Sequence, residues 1–197
     1  MKTVVLGVCG SIAAYKAADL TSKLVKRDYS VFVVLTESAT QFVGPMTFQT
    51  LSKNPVTSGV FDERESWRPT HIDLADRADL FLVAPATANV IAKLALGIGD
   101  DALTSIALAT RASFLIAPAM NGKMWLHPAT QQNAATLRTR GAEFIGPEDG
   151  MLACGYEGVG RLWDVEEIAA KADEILRRGP SSPDASLPSQ KKIKRKS

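Results

Sequence analysis

The sequence predicts an α/β fold, a doubly wound parallel sheet flanked by helices. Three observations carry that prediction. Residues 3–8, 30–35, 80–84 and 113–116 are short apolar runs without alternation, as expected of strands buried on both faces. Each run leads into a helix-type pattern, and right-handed crossovers between parallel strands then place helices on both sides of the sheet. The 197-residue length suits one domain of about 150 residues with something left over, or two cramped ones.

The elements follow in chain order. Residues 3–8 are β-branched and end at Gly10-Ser11, and residues 12–26 have a helical texture with Ile12, Tyr15, Ala18, Leu20, Leu24 and Val25 roughly on one side. A second strand spans 30–35. Residues 36–69 are less regular, with a short helix expected around 46–52. A third strand, 80–84, precedes helices over 88–96 and 102–110; a fourth, 113–116, precedes a loop and a helix over 128–140. A short strand over 143–145 and a last helix over 165–177 complete a unit expected to span residues 1–179. Residues 180–197 are Pro/Ser-rich and then carry Lys191, Lys192, Lys194, Arg195 and Lys196 against Asp184, which reads as a disordered basic tail.

Composition excludes several classes. With 46% hydrophobic and 22% charged residues the chain is neither disordered nor repetitive. Cys9 and Cys154 are too few for a disulfide scaffold, and two histidines leave little for a zinc site, so no metal is expected. No apolar run reaches the roughly 18 residues of a membrane span, and the amino terminus has no cleavage-type site, so a cytoplasmic protein without a membrane partner is expected. The net charge of +2 resides in the tail, which leaves the body slightly acidic and argues against nucleic acid as a partner.

In such a sheet ligands bind at the carboxyl ends of the strands. Gly10, Ser11 and Ile12 form a glycine turn that opens a helix, either an anion site or a plain strand-to-helix turn with Ser11 as cap. The spacing lacks the dinucleotide fingerprint G-x-G-x-x-G. Thr36 and Ser38 flank Glu37 at the end of the second strand, and hydroxyls there suit a phosphate, or else cap a turn. Together the two turns fit a mononucleotide better than a dinucleotide. In Pro85-Ala86-Thr87-Ala88-Asn89 small residues allow a flat ring to approach, with Thr87 and Asn89 to hydrogen-bond it; Thr87 also suits a helix start. The loop Pro118-Ala119-Met120-Asn121-Gly122-Lys123-Met124-Trp125 is harder to explain as structure. Core packing accounts for Met124 and Trp125 but not for Asn121.

His71, just before the third strand, carries the side chain best suited to take a proton near neutral pH. His127, before Pro128, reads as a helix start. Cys9 reads as an inert buried thiol. Four glycines between Gly150 and Gly160 argue against helix or strand interior, and describe a mobile flap bearing Cys154 and Arg161.

Taken together, these segments resemble the flavin-containing cysteine decarboxylases, over about nine-tenths of the chain. The resemblance rests on Gly10-Ser11-Ile12-Ala13-Ala14-Tyr15-Lys16, His71, Pro85-Ala86-Thr87-Ala88-Asn89, the Pro118-Ala119-Met120-Asn121 segment with Met124-Trp125, and Leu152-Ala153-Cys154-Gly155. It implies a Rossmann-like flavoprotein fold with FMN held by Gly10, Ser11, Ile12, Thr36, Ser38, Thr87, Asn89 and Ala119. It implies phosphopantothenoylcysteine as substrate and phosphopantetheine, a coenzyme A precursor, as product. His71 would be the base while hydride passes from the cysteine moiety to the flavin, giving a thioaldehyde that loses carbon dioxide. Asn121 would hold the substrate carboxylate, with Met124, Ala153 and Gly155 also at the substrate. Cys154 would donate to the enethiol carbon, since an unperturbed thiol, with a pKa of about 8.5, is mainly protonated at neutral pH. The family also implies a homotrimer with flavin sites between subunits, so that His71 serves a neighbour's flavin.

Two departures stand out. Asn89 is followed by Val90 where the family often has Thr, and the chain has no room for the ligase domain that follows in many bacterial relatives. Three rivals share the fold: a peptidyl-cysteine oxidative decarboxylase, which would not need a donor at Cys154; a flavin prenyltransferase, which would not need the Pro118–Trp125 motif; and a non-enzymatic regulatory protein, whose tail is usually acidic.

Overall fold

The computed structural model describes residues 1–59, 69–151, 155 and 157–179. Five parallel strands form the sheet: β1 Thr3–Val8, β2 Ser30–Leu35, β3 Leu80–Ala86, β4 Ser113–Pro118 and β5 Glu143–Phe144, in the order β2-β1-β3-β4-β5. Crossovers from β1 run outward in both directions, so the order reverses between β1 and β3, where such sheets open a crevice at their carboxyl edge. β3 and β4 each run two residues further than the apolar runs indicate, because Ala86 pairs with Pro118 beyond a local irregularity.

The strands bury side chains on both faces, as their composition predicts. Val4, Leu6 and Val8 pack on one side with α1 (Lys16–Lys26) and α9 (Val165–Arg178); Val5 and Cys9 pack on the other. That second face is covered by α4 (Thr70–Arg77), α5 (Ala88–Leu96), α6 (Ala102–Ala109) and α8 (Pro128–Thr139). Gly7 lets α6 come close: a Cβ there would lie 2.7 Å from Leu103 Cδ1. In α1 the buried stripe is Ala17, Leu20, Thr21 and Leu24, a spacing of three and four residues. Two short helices, α2 (Glu37–Thr40) and α3 (Pro45–Ser52), follow β2, and α3 contributes the fully buried Phe48.

Three expectations need correction, and one element is new. Ile12 and Tyr15 do not share the buried side of the first helix. They lie on a separate 3-10 turn, Ile12–Tyr15, and are 60% and 61% exposed, because the tighter turn rotates them away from the sheet. Residues 70–79, left without an element above, hold a full helix, α4. The loop after β4 contains a short helix, α7 (Gly122–Trp125), that buries Trp125 but leaves Met124 exposed. Finally, the glycine-rich flap has strands: β6 (Glu148–Met151) and β7 (Glu157–Arg161) pair antiparallel. Glycine weakens a strand by roughly 0.5–1 kcal/mol, which a closed ladder offsets. The tail, 180–197, lies outside the described residues.

Candidate functional site

Four strand ends meet at the crevice, and a side chain caps the helical turn that begins at each. Ser11 Oγ accepts from Ala13 N at 3.3 Å, Thr36 Oγ1 from Ala39 N at 3.3 Å, Thr87 Oγ1 from Val90 N at 3.4 Å, and Asn121 Oδ1 from Lys123 N at 2.9 Å. Asn121 therefore has a structural use that the sequence alone did not reveal, as the N-cap of α7. The four capped turns begin at one edge of the sheet, and helix N-termini gathered there suit anions. Gly10 is what brings the first two turns together. A Cβ there would lie 2.4 Å from Ser38 Cβ and 2.9 Å from its carbonyl carbon, so no side chain fits.

Two cavities adjoin at the peptide between Gly10 and Ser11. One, of about 450 Å³, is lined by Gly10, Thr36, Ser38, Thr87, Asn89 and Met124. The other, of about 630 Å³, is lined by Ser11, Ile12, Tyr15, Lys16, Ala119, Asn121, Met151 and Arg161. Both have the size of cofactor sites. The eight residues expected to hold a flavin are thus divided between neighbouring cavities. Lys93, Asp100 and Asp101 add charge to the rim of the smaller one. Lys93 donates to both Asp100 oxygens at 2.7 and 2.8 Å; that bond holds the ammonium above its ordinary pKa and the Asp100 carboxyl below its own. Asp101 also lies 3.5 Å from Lys93, and Glu37 adds a further carboxylate to the lining, so Lys93 is already committed to carboxylates.

The hairpin β6–β7 is fastened to this edge at Gly160. Met120 N donates to Gly160 O at 2.9 Å, and a Cβ on Gly160 would lie 2.2 Å from Met120 O, with φ at +143°. The two chains touch backbone to backbone, one residue from Asn121. Gly155, beyond the strands, has φ +82° and nothing within 4 Å of the Cβ position. Ala153 and Cys154 lie outside the described residues.

His71 sits in the first turn of α4, at the carboxyl edge of the sheet, because the crossover helix runs antiparallel to the strands it connects. It lines neither cavity. Its Nδ1 is buried and has no hydrogen-bond partner, a costly state for an imidazole nitrogen unless a further group satisfies it. Cys9 is fully buried, and burial pushes its thiol pKa up to about 12, so it is inert as expected. His127 caps α8 through Nδ1, accepting from Ala129 N at 3.2 Å. Sequence reasoning missed the Lys93–Asp100 pair and the Met120–Gly160 junction. A lysine seven residues before an acid marks no motif, and the junction joins backbones 40 residues apart.

The sequence profile described as Flavoprotein matches residues 1–177. The chain is 50% identical to the coenzyme A biosynthesis bifunctional protein CoaBC of Bacillus subtilis over 182 residues, covering 92% of this chain and 45% of that protein. It thus spans less than half the length of the bifunctional relatives it matches. It is 49% identical to a probable phosphopantothenoylcysteine decarboxylase of Streptococcus mutans, covering 89% of this chain and 99% of that one. Among solved structures it is similar to a cysteine-to-serine variant of PPC decarboxylase complexed with pantothenoylaminoethenethiol, with a TM-score of 0.80 and 30% identity over 89% of this chain and 98% of that chain.

Proposed function

Because this chain belongs to the Flavoprotein family, we propose that it binds FMN and decarboxylates 4'-phosphopantothenoylcysteine to 4'-phosphopantetheine, a step of coenzyme A biosynthesis. The observation that carries the reading is the Met120–Gly160 junction, which joins a phosphate-suited cradle to a hairpin beside Asn121.

The cradle fits a flavin mononucleotide. Capped turns and a glycine that admits no Cβ suit the phosphate at Gly10, Ser11, Ile12, Thr36 and Ser38, while Thr87, Asn89 and Ala119 border space for a flat ring. When bound, FMN supplies reversible two-electron oxidation of the cysteine moiety. His71 takes the proton given up at that moiety, through the nitrogen that the fold leaves unsatisfied. Asn121 orients the substrate carboxylate, and Met124, Ala153 and Gly155 border the same substrate. Closure of the hairpin excludes water, which favours loss of the charged carboxylate as carbon dioxide. Cys154 then hands a proton to the enethiol carbon, while the hydride equivalent taken up in the oxidation would be returned from the bound cofactor, so that the two together restore the saturated thiol.

The working form is a homotrimer or an assembly of trimers. Phe42, Met46, Ile12 and Leu126 expose 49%, 70%, 60% and 64% of their surfaces on the single chain, and His71 lies outside both cavities, so a neighbouring copy is the natural recipient of its imidazole. Residues 1–179 are the functional unit, and 180–197 an appendage. No described helix is long and apolar enough to cross a membrane, and the proposed chemistry belongs in the cytoplasm.

The test is the mass of the product from phosphopantothenoylcysteine, together with chromatography of the chromophore released on denaturation. FMN and phosphopantetheine are expected. FAD, or an enethiol as end product of the unaltered protein, refutes the reading, the latter in favour of oxidative decarboxylation.

A further inference from the structure

A helix of one turn, such as α7, is far below the length at which helices hold themselves, so its position is set by what grips its ends. At the amino end Asn121 Oδ1 accepts from Lys123 N at 2.9 Å, which ties the Asn121 amide to the direction of the turn. At the carboxyl end the Trp125 carbonyl has no helical partner. Three residues on stands Pro128, which has no N–H, and four residues on Ala129 N donates instead to His127 Nδ1 at 3.2 Å. The donor that takes their place is the side chain of Gln131, whose Nε2 lies 2.6 Å from Trp125 O.

Gln131 belongs to α8, a helix of 12 residues that buries Ala134 and Leu137 against the second face of the sheet. Trp125 packs in the same cluster, with Met120 and Val159 at its margin. Apolar packing is non-directional, whereas a hydrogen bond holds one carbonyl in one direction. The indole therefore sets the depth of the turn, and Gln131 sets its rotation. Resting on the reading above, we infer that Gln131 is a positioning residue for the decarboxylation: through Trp125 O it fixes α7 and so aims the Asn121 amide at the substrate carboxylate. Gln131 lines neither cavity, so its effect reaches the substrate only through the turn.

The experiment compares FMN-loaded unaltered, Gln131→Met and Gln131→Glu protein. Methionine has no donor at any pH, whereas glutamate donates to the carbonyl when protonated and repels it when ionised. At pH 8 both variants should keep FMN and their thermal midpoint, and lose about 10- to 100-fold in kcat on phosphopantothenoylcysteine with KM changed only a few-fold. With a carboxyl pKa of about 4.3 or above, the kcat of Gln131→Glu relative to unaltered protein should rise several-fold from pH 8 to pH 5. The same ratio for Gln131→Met should stay flat. Deuterium uptake over residues 121–127 should be about 3- to 10-fold faster in Gln131→Met at neutral pH. A flat ratio for Gln131→Glu, unchanged uptake, or loss of FMN in step with loss of activity overturns the inference; if Gln131→Met fails to fold, the pH response of Gln131→Glu decides. Faster uptake in the variant, with no turnover by the unaltered protein, defeats the proposed reaction and leaves the hold of Gln131 on the turn standing. Equal kcat in all three proteins defeats the positioning role alone.

Discussion

At the strand ends Gly10 is wedged against Ser38, and Ser11, Thr36, Thr87 and Asn121 each close a helical turn. In the hairpin, by contrast, Gly155 and Gly158 have nothing within 4 Å of where a Cβ would stand. Gly150 faces the flexible end of Arg161 at 3.2 Å, and among the described hairpin glycines Gly160 is the one wedged against backbone, at Met120. One region is held rigid by contacts that the fold needs anyway, so its donors are oriented before any ligand arrives. The other is an open ladder of short strands with one firm anchor. The difference suits one edge to the two tasks proposed for it: preorganised capture of a phosphate, and closure over a substrate that must enter and leave.

The comparison breaks most sharply at the anchor. Gly160→Ala forces a methyl group against a backbone oxygen at a φ that glycine alone adopts readily, so loss of about 3 kcal/mol is expected, read as the shift in the urea midpoint. Gly155→Ala, strained in φ but unobstructed, should cost about 1 kcal/mol, and equal losses would show that the anchor is not special. In the cradle, Gly10→Ala separates the first two turns. FMN affinity should fall by roughly 100-fold, measured by flavin fluorescence, since a displaced phosphate loses two or more charge-assisted hydrogen bonds. Retention of tight FMN would mean the cradle tolerates a gap that the geometry says it cannot.

His71→Asn sharpens the division. It should keep FMN and lose about 10²- to 10⁴-fold in kcat, because its place is on the edge and outside both cavities. Loss of flavin instead would make it part of the cradle. The smallest effect is at Cys9. Its thiol pKa is raised on folding, so the folded protein holds the proton where the unfolded chain begins to release it, and the stabilisation present below about pH 8.5 drains away as pH rises toward the folded value of about 12. Iodoacetamide at pH 8 should leave Cys9 unmodified in the native protein and modify it in urea, as read by peptide mass.

The same contrast explains what the sequence made legible. Strands β1 to β4 and helices α5 and α9 are readable because continuous apolar runs and three-four spacings persist over whole elements. Ser11, Thr36 and Thr87 are readable because a cap and a phosphate ligand call for the same residue at the same place. The hairpin was not, because its glycines have no strand propensity and its pairing is fixed by backbone bonds to a partner strand. Helix α4 was hidden because only Leu74 and Ala75 of its eight residues are buried, too few to make a visible stripe. Ile12 and Tyr15 misled, because apolar residues beside a site resemble core until the 3-10 turn shows where they point.

The account's central claim is that bound FMN, His71 and Asn121 suffice for oxidation and loss of carbon dioxide, while Cys154 is needed only to finish the reaction. Cys154→Ser replaces the thiol with a hydroxyl of similar shape and much weaker acidity. The decisive measurement is an anaerobic single turnover of that variant on phosphopantothenoylcysteine, with the product weighed by mass spectrometry and the flavin followed by absorbance. The account predicts one equivalent of carbon dioxide, reduced flavin, and an enethiol lighter than phosphopantetheine by two hydrogens. Full conversion to phosphopantetheine with reoxidised flavin would contradict it.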